Sequence, residues 1–122
     1  MKMQMLLPLL AIAVVSPACA EPCSTAASRL MIAKTLKLAT AERPVNVTFQ
    51  TRAEGVKIPE KLKATYSDDM TIILQNDFAQ LNVRDDRFDV VLRAKTYPQR
   101  LTVPFAAIKT FWDKAELKCS DT

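Results

Sequence analysis

From Val45 onward the chain alternates. Val45, Val47, Phe49 and Thr51 fall on one side, and Asn46, Thr48 and Gln50 fall on the other. A period of two marks a strand with one buried face. After Ser67-Asp68-Asp69 the pattern resumes. Met70 to Leu74 is the most apolar run and is expected to be the central strand. Phe78-Ala79-Gln80-Leu81-Asn82-Val83 alternates again. Phe88, Val90 and Leu92 then share a face opposite Asp89, Val91 and Arg93. The polar stretch Arg84 to Arg87 lies between these two segments and predicts a hairpin. Leu101 and Val103 belong to a last strand that stops at Pro104. Short segments rich in β-branched residues, punctuated by Asp, Asn and Pro, predict a small antiparallel sheet system.

Two helices are expected around these strands. Residues 24–41 contain no Pro or Gly, and Ser24 or Thr25 can cap their start. Leu30, Met31, Lys34, Leu38 and Ala41 fall roughly on one side, beside Ala26, Ala27 and Ala33. Arg29, Lys34 and Lys37 make the segment cationic, and Arg43-Pro44 is expected to end it. Such a helix can lie over the sheet or pair with a second copy. Near the other end, Phe105, Ile108, Phe111 and Trp112 stand at helical spacing, so 105–112 reads as a short packing helix whose aromatic residues belong to the core. Residues 113–122 read as a charged tail. Between the first two strands, Gly55 is the only glycine of the chain and predicts a turn at positive φ. Val56-Lys57-Ile58-Pro59 reads as a short edge segment, and Glu60 to Tyr66 as a connector or one helical turn.

The first twenty residues read as an address. Lys2 gives a basic start, and Met5 to Val15 is apolar but short of the ~20 residues that span a membrane. Ser16-Pro17 breaks the run, and Ala18-Cys19-Ala20 offers an A-x-A cleavage site before Glu21. The expectation is a cleaved export signal, 1–20, ahead of one domain, 21–122, with no membrane span after cleavage. A lipid-modified Cys19 fits poorly with Ser16 and Pro17. Export implies a periplasmic or secreted protein; if the segment is not a working signal, the protein is cytoplasmic. Cleavage removes Cys19 and leaves Cys23 and Cys119 as a disulfide candidate, the other reading being two unrelated thiols. A bridge there would close a long loop, for which chain entropy gives ~4–5 kcal/mol.

Charge and composition mostly exclude. The whole chain carries 17 basic and 13 acidic side chains, a net +4, and loss of residues 1–20 removes one lysine. That mild excess does not favour nucleic acid, nor an RNA-binding barrel face. There is no histidine, which excludes His-based triads and imidazole acid–base catalysis. No metal site is expected from two cysteines without histidine, no cofactor is implied, and one glycine cannot build a phosphate loop. Asp68-Asp69 and Asp85-Asp86 sit in turns, where Asp serves local hydrogen bonding. The sequon Asn46-Val47-Thr48 falls on a strand and reads as accidental. No catalytic residues are expected, and the chain is not read as an enzyme.

Several segments resemble the SspB family, above all its shorter α-proteobacterial branch. They are Val47-Thr48-Phe49-Gln50-Thr51, Gly55-Val56-Lys57-Ile58-Pro59, Leu62-Lys63-Ala64 and Met70 to Gln75. Asp86-Arg87-Phe88-Asp89-Val90 and Pro98 to Ile108 continue the match, in family order, over about seventy residues. The resemblance implies a mainly β fold with α: an N-terminal helix, then a small Sm-like, partly open barrel of two antiparallel sheets. It implies a homodimer through helix 24–41. It also implies a non-enzymatic adaptor that binds an unstructured peptide tag, the ssrA tag of ribosome rescue, and tethers the tagged protein to a AAA+ protease such as ClpXP. By position, the peptide groove would involve Ile73, Gln75, Val91, Arg93, Ala94, Lys95 and Thr96. Ile72, Leu74 and Leu92 lie in the same segments but read as sheet core.

Three departures shape the expectation. Ala94-Lys95-Thr96 stands where the family has Phe-Gly-Gly, so side chains replace open backbone near the ligand. The family's acidic linker and ClpX-docking tail are not found before Thr122. An export signal would separate the domain from cytosolic ClpXP. The alternative reading is therefore an exported SspB-like domain that binds other peptides, or serves structurally, without protease delivery.

Overall fold

The computed structural model describes residues 21–76, 78–93 and 98–121. The signal-like segment 1–20 and the candidate residues Ala94, Lys95 and Thr96 lie outside the described residues. Ten short elements follow in order. Helix α1 (Ala26–Leu36) precedes strand β1 (Val45–Gln50), helix α2 (Glu60–Thr65), β2 (Asp69–Leu74), β3 (Phe78–Val83) and β4 (Arg87–Arg93). Then come β5 (Pro98–Pro104), a 3-10 turn (Phe105–Ala107), β6 (Ile108–Asp113) and β7 (Glu116–Ser120).

The strands form two antiparallel sheets, ordered β2-β1-β6-β7 and β3-β4-β5. Their inner faces supply one core. Val45, Val47, Phe49, Ile72, Leu74 and Phe111 come from the first sheet, and Phe88, Val90, Leu101 and Val103 from the second. Phe105, between β5 and β6, is fully buried, its ring centroid 6.5 Å from that of Phe88. Ile32 and Leu36 of α1 join the same cluster. The sheets do not close on each other, which fits a partly open barrel. The mainly β fold with a leading helix and the hairpin β3–β4 are therefore as the sequence led one to expect.

Helix α1 begins where Thr25 accepts a hydrogen bond from the Ser28 amide at 3.0 Å. It is shorter than 24–41. The Leu38 and Ala39 amides turn back onto Thr35 and Leu36, and Thr40 then accepts from the Arg43 amide through its hydroxyl as well as its backbone. Such local side-chain bonding competes with helix continuation. The buried positions are Ser28, Ile32, Thr35 and Leu36 rather than the side carrying Leu30 and Leu38, both of which are exposed.

Three further expectations need correction. The first concerns 105–112. Only Phe105–Ala107 is helical, and Ile108–Asp113 is a strand paired with β1. Ile108 and Phe111 both face the core three residues apart because the register slips between Thr48 and Phe49. A β-bulge inserts one extra residue and so mimics a helical spacing. The second is the charged tail: residues 116–120 form β7, hairpinned to β6 through Lys114 and Ala115. The third is the position of Met70–Leu74. This segment is an edge strand, and β1 holds the inner place between β2 and β6. Met70, Ile72 and Leu74 point inward, so its apolar content reflects one buried face and an exposed Ile73.

The ends of the domain are stapled together. Cys23 and Cys119 form a disulfide with Cα atoms 5.0 Å apart, and both are fully buried. The Cys23 amide donates to Asp121 Oδ1 at 2.8 Å, and the Ser120 amide donates to the Glu21 carbonyl at 2.8 Å. A disulfide between two buried cysteines is the kind that oxidising compartments sustain. Gly55 turns the chain at φ +89°, and the Lys57 amide and carbonyl bond Thr102. No helix among the described residues is long and apolar enough to cross a membrane.

Candidate functional site

A strand can accept a guest strand only where its backbone groups are not already paired. Strand β2 has β1 on one side and no strand on the other among the described residues. Its outward side chains include Thr71 and Ile73, and Ile73 is 56% exposed. Gln75, just beyond the strand, donates from Nε2 to the Ala41 carbonyl at 3.2 Å, which fixes the strand's exit. Thr71 shares a 2.7 Å hydroxyl bond with Thr48 of β1, and at the other end Lys109 pairs with Asp69 at 3.1 Å. These contacts tie the edge strand to β1 and β6.

Strand β4 presents a different surface. It is the middle strand of its sheet: Val91 lies opposite Ala79 of β3 and Arg100 of β5, and Arg93 lies opposite Pro98. Backbone addition is therefore closed to β4, leaving only side chains. Val91 is buried and Arg93 is exposed. Ile73 on β2, with Gln75 just past its end, and Val91 with Arg93 on β4 therefore belong to two different sheets.

The register brings together a row that the sequence reading did not find. Ile73 lies opposite Asn46, Asn46 opposite Trp112, and Trp112 opposite Leu117. This row crosses all four strands on the outer face of the first sheet. Trp112 and Leu117 are each 36% exposed. Trp112, expected in the core, faces solvent because β6 is a strand and Phe111 takes the inward position. The strand alternation of β1 already placed Asn46 outward. Trp112 and Leu117 could have been found only by reading 108–120 as a hairpin.

The site carries little electrostatic strain. Among the described residues the carboxyl whose titration is shifted is Asp113, held below the usual carboxylate range chiefly by hydrogen bonds from Arg43, with nearby positive charge adding to the effect. Burial opposes that shift without cancelling it. Asp113 is tied into the β1–β6 end of the sheet rather than aimed into a cleft, so its perturbation is structural. No cluster of three metal-binding side chains occurs among the described residues.

A leading helix laid over two small antiparallel sheets with a free strand edge defines a helix-capped, partly open barrel. The sequence model of the family described as Stringent starvation protein B, SspB, matches residues 23–118, and the chain belongs to that family. No individually curated protein matches the chain.

Proposed function

We propose that the domain is a non-enzymatic adaptor of the SspB type, which binds an unstructured peptide tag of the ssrA kind and passes the tagged protein to a AAA+ protease such as ClpXP. Membership of the SspB family supports an adaptor role. The observation that carries the reading is the free edge of β2, with Ile73 exposed upon it. An extended peptide added to such an edge gains main-chain hydrogen bonds, while the side chains around it choose the sequence. In this reading Ile73 and Gln75 flank the guest strand. Val91, Arg93, Ala94, Lys95 and Thr96 supply the second wall, and Arg93 is suited to an acidic or C-terminal group. Pairing of two copies through the helix, expected over residues 24–41, is the family's arrangement and belongs to this reading.

Titration of a labelled ssrA-like peptide against residues 21–122 tests the proposal. Micromolar binding is expected, weakened about tenfold by Ile73→Lys, as is usual for an anchor residue in a small interface. No binding of any tag-like peptide at that level sinks it.

The disulfide favours a second reading, an exported SspB-like domain without protease delivery. N-terminal sequencing and thiol counting on the native protein separate the two. A chain starting at Glu21 with no free thiol supports export, whereas an uncleaved chain with free Cys23 and Cys119 rules it out.

A further inference from the structure

Two neighbouring rows cross the four strands of the first sheet on its outer face. One runs from Ile73 through Asn46 and Trp112 to Leu117, and the next from Thr71 through Thr48 and Thr110 to Ser120. These eight positions hold no charged side chain, although 25% of the chain is charged. Each of them is exposed or half-buried. Beyond the hydroxyl row, Lys109 and Asp69 neutralise each other at 3.1 Å. Lys118, the extra residue where the β6–β7 register slips, lines a recess beside Met31 of α1 instead.

The face is neutral, yet it is rich in hydrogen-bonding groups that the fold does not use. Thr48 and Thr71 share one hydroxyl bond at 2.7 Å, which engages a single donor of the pair. Among the described residues no hydrogen bond engages the Asn46 amide, the Thr110 hydroxyl or the Trp112 indole N–H. An amide group brings two donors and an acceptor, and a hydroxyl one donor and two acceptor sites. An indole adds one donor at the rim of a broad apolar ring. Trp112 stands between Asn46 and Leu117, so its ring has a polar neighbour on one side and an apolar one on the other.

We infer that this face binds a neutral oligosaccharide, with one sugar ring stacked on Trp112 and the hydroxyls around it bonded to Asn46, Thr48 and Thr110. A sugar ring has apolar C–H faces and a rim of hydroxyls. The indole suits the first, and the amide and hydroxyl groups suit the second. The missing charge selects this occupant. A nucleic acid or an anionic lipid surface needs cations on the face, and a charged peptide needs the opposite charge. Packing against a second copy is disfavoured by composition, because Asn46, Ser120 and three threonines make five of the eight positions polar. The buried middle of a subunit interface is more apolar than ordinary surface. The outer strands lie three spacings or about 14 Å apart, room for a short run of rings. The site goes beyond the peptide reading and needs no tagged partner.

Trp112 is the only tryptophan of the chain, so its emission reports on this face alone. Short β-1,4-linked chains of glucose and of N-acetylglucosamine are titrated into the native protein, its disulfide intact, up to about 10 mM. At least one is expected to shift or quench the emission, saturating with a dissociation constant of about 1 mM. An acidic galacturonate chain is expected to leave it unchanged. Amide NMR shifts at Thr48 and Thr110 then compare variants. Trp112→Ala should weaken binding about tenfold and Asn46→Ala about fivefold, both with unchanged circular dichroism, and Trp112→Phe should keep most of it. An ssrA-like peptide should bind Trp112→Ala as well as it binds the wild type, so failure of either reading leaves the other standing. Three outcomes overturn the inference: an emission unmoved by both neutral chains, equal sugar binding by Trp112→Ala, or self-association of the protein that Trp112→Ala abolishes.

Discussion

The guanidinium of Arg43 grips the Asp113 carboxylate with two hydrogen bonds, 3.2 Å from Nε and 2.8 Å from a terminal nitrogen. The Lys114 amide donates to the Pro44 carbonyl beside it at 2.9 Å. Together these contacts lock the segment leaving α1 onto the β6–β7 turn and so fix where β1 begins.

This pair predicts a particular acid response. The Asp113 carboxyl titrates below its unfolded value of about 3.9, so its stabilisation is fully present above that value and is lost as pH falls through the lower, folded one. Thermal melts between pH 6 and pH 2 should show the loss below about pH 4. Asp113→Asn should lower stability at pH 6 and flatten that part of the profile. An unchanged acid limb in the variant would remove Asp113 from the account.

Removing the staple should cost about 2–5 kcal/mol, the usual effect of losing a native disulfide in a small domain. Urea unfolding of Cys23→Ser/Cys119→Ser, with and without reductant in the wild type, measures it. The wild type should move to the variant's midpoint only after reduction, and slowly, because both sulfurs are buried.

Adjacent aromatic residues on β6 should behave in opposite ways. Phe111 is fully buried, so Phe111→Ala should destabilise by about 3–5 kcal/mol. Trp112→Ala should cost under about half of that, since its indole faces solvent across from Asn46. Equal losses would argue for the helical arrangement that the spacing alone suggests.

At Gly55 a Cβ would lie 2.9 Å from Pro104 Cγ, in a backbone conformation with φ +89°. Gly55→Ala should therefore destabilise by about 1–2 kcal/mol. Loss of the Lys57 amide's exchange protection should accompany it, because Lys57 bonds Thr102 just past the turn.

These comparisons show what the residues disclosed before the structure. The alternation from Val45 to Thr51 gave β1 its inward face, and the polar Arg84–Arg87 stretch between alternating segments gave the hairpin. Strand order was hidden, because local apolar content reports a buried face and not a place in the sheet. Strand β2 was misplaced for that reason. Strands β6 and β7 were hidden twice over. A bulge at Lys109 imitated a helical repeat, and the turn at Lys114–Ala115 has a lysine at φ 57° instead of the Asn-Gly that announces a tight hairpin. Of the candidate site, Ile73 and Gln75 came from family resemblance. The row through Asn46, Trp112 and Leu117 could not be seen until those two strands were paired.

The staple also sets the molecule's orientation. Glu21 and Ser120 are hydrogen-bonded to each other, so whatever precedes the first and follows the second departs from the β7 border of its sheet. Strand β2, which has no second strand neighbour among the described residues, is at the opposite border, three strand spacings or about 14 Å away. A fluorophore, resin or fusion partner fixed at either terminus would therefore hold the domain by its β7 border and leave the β2 border away from the attachment.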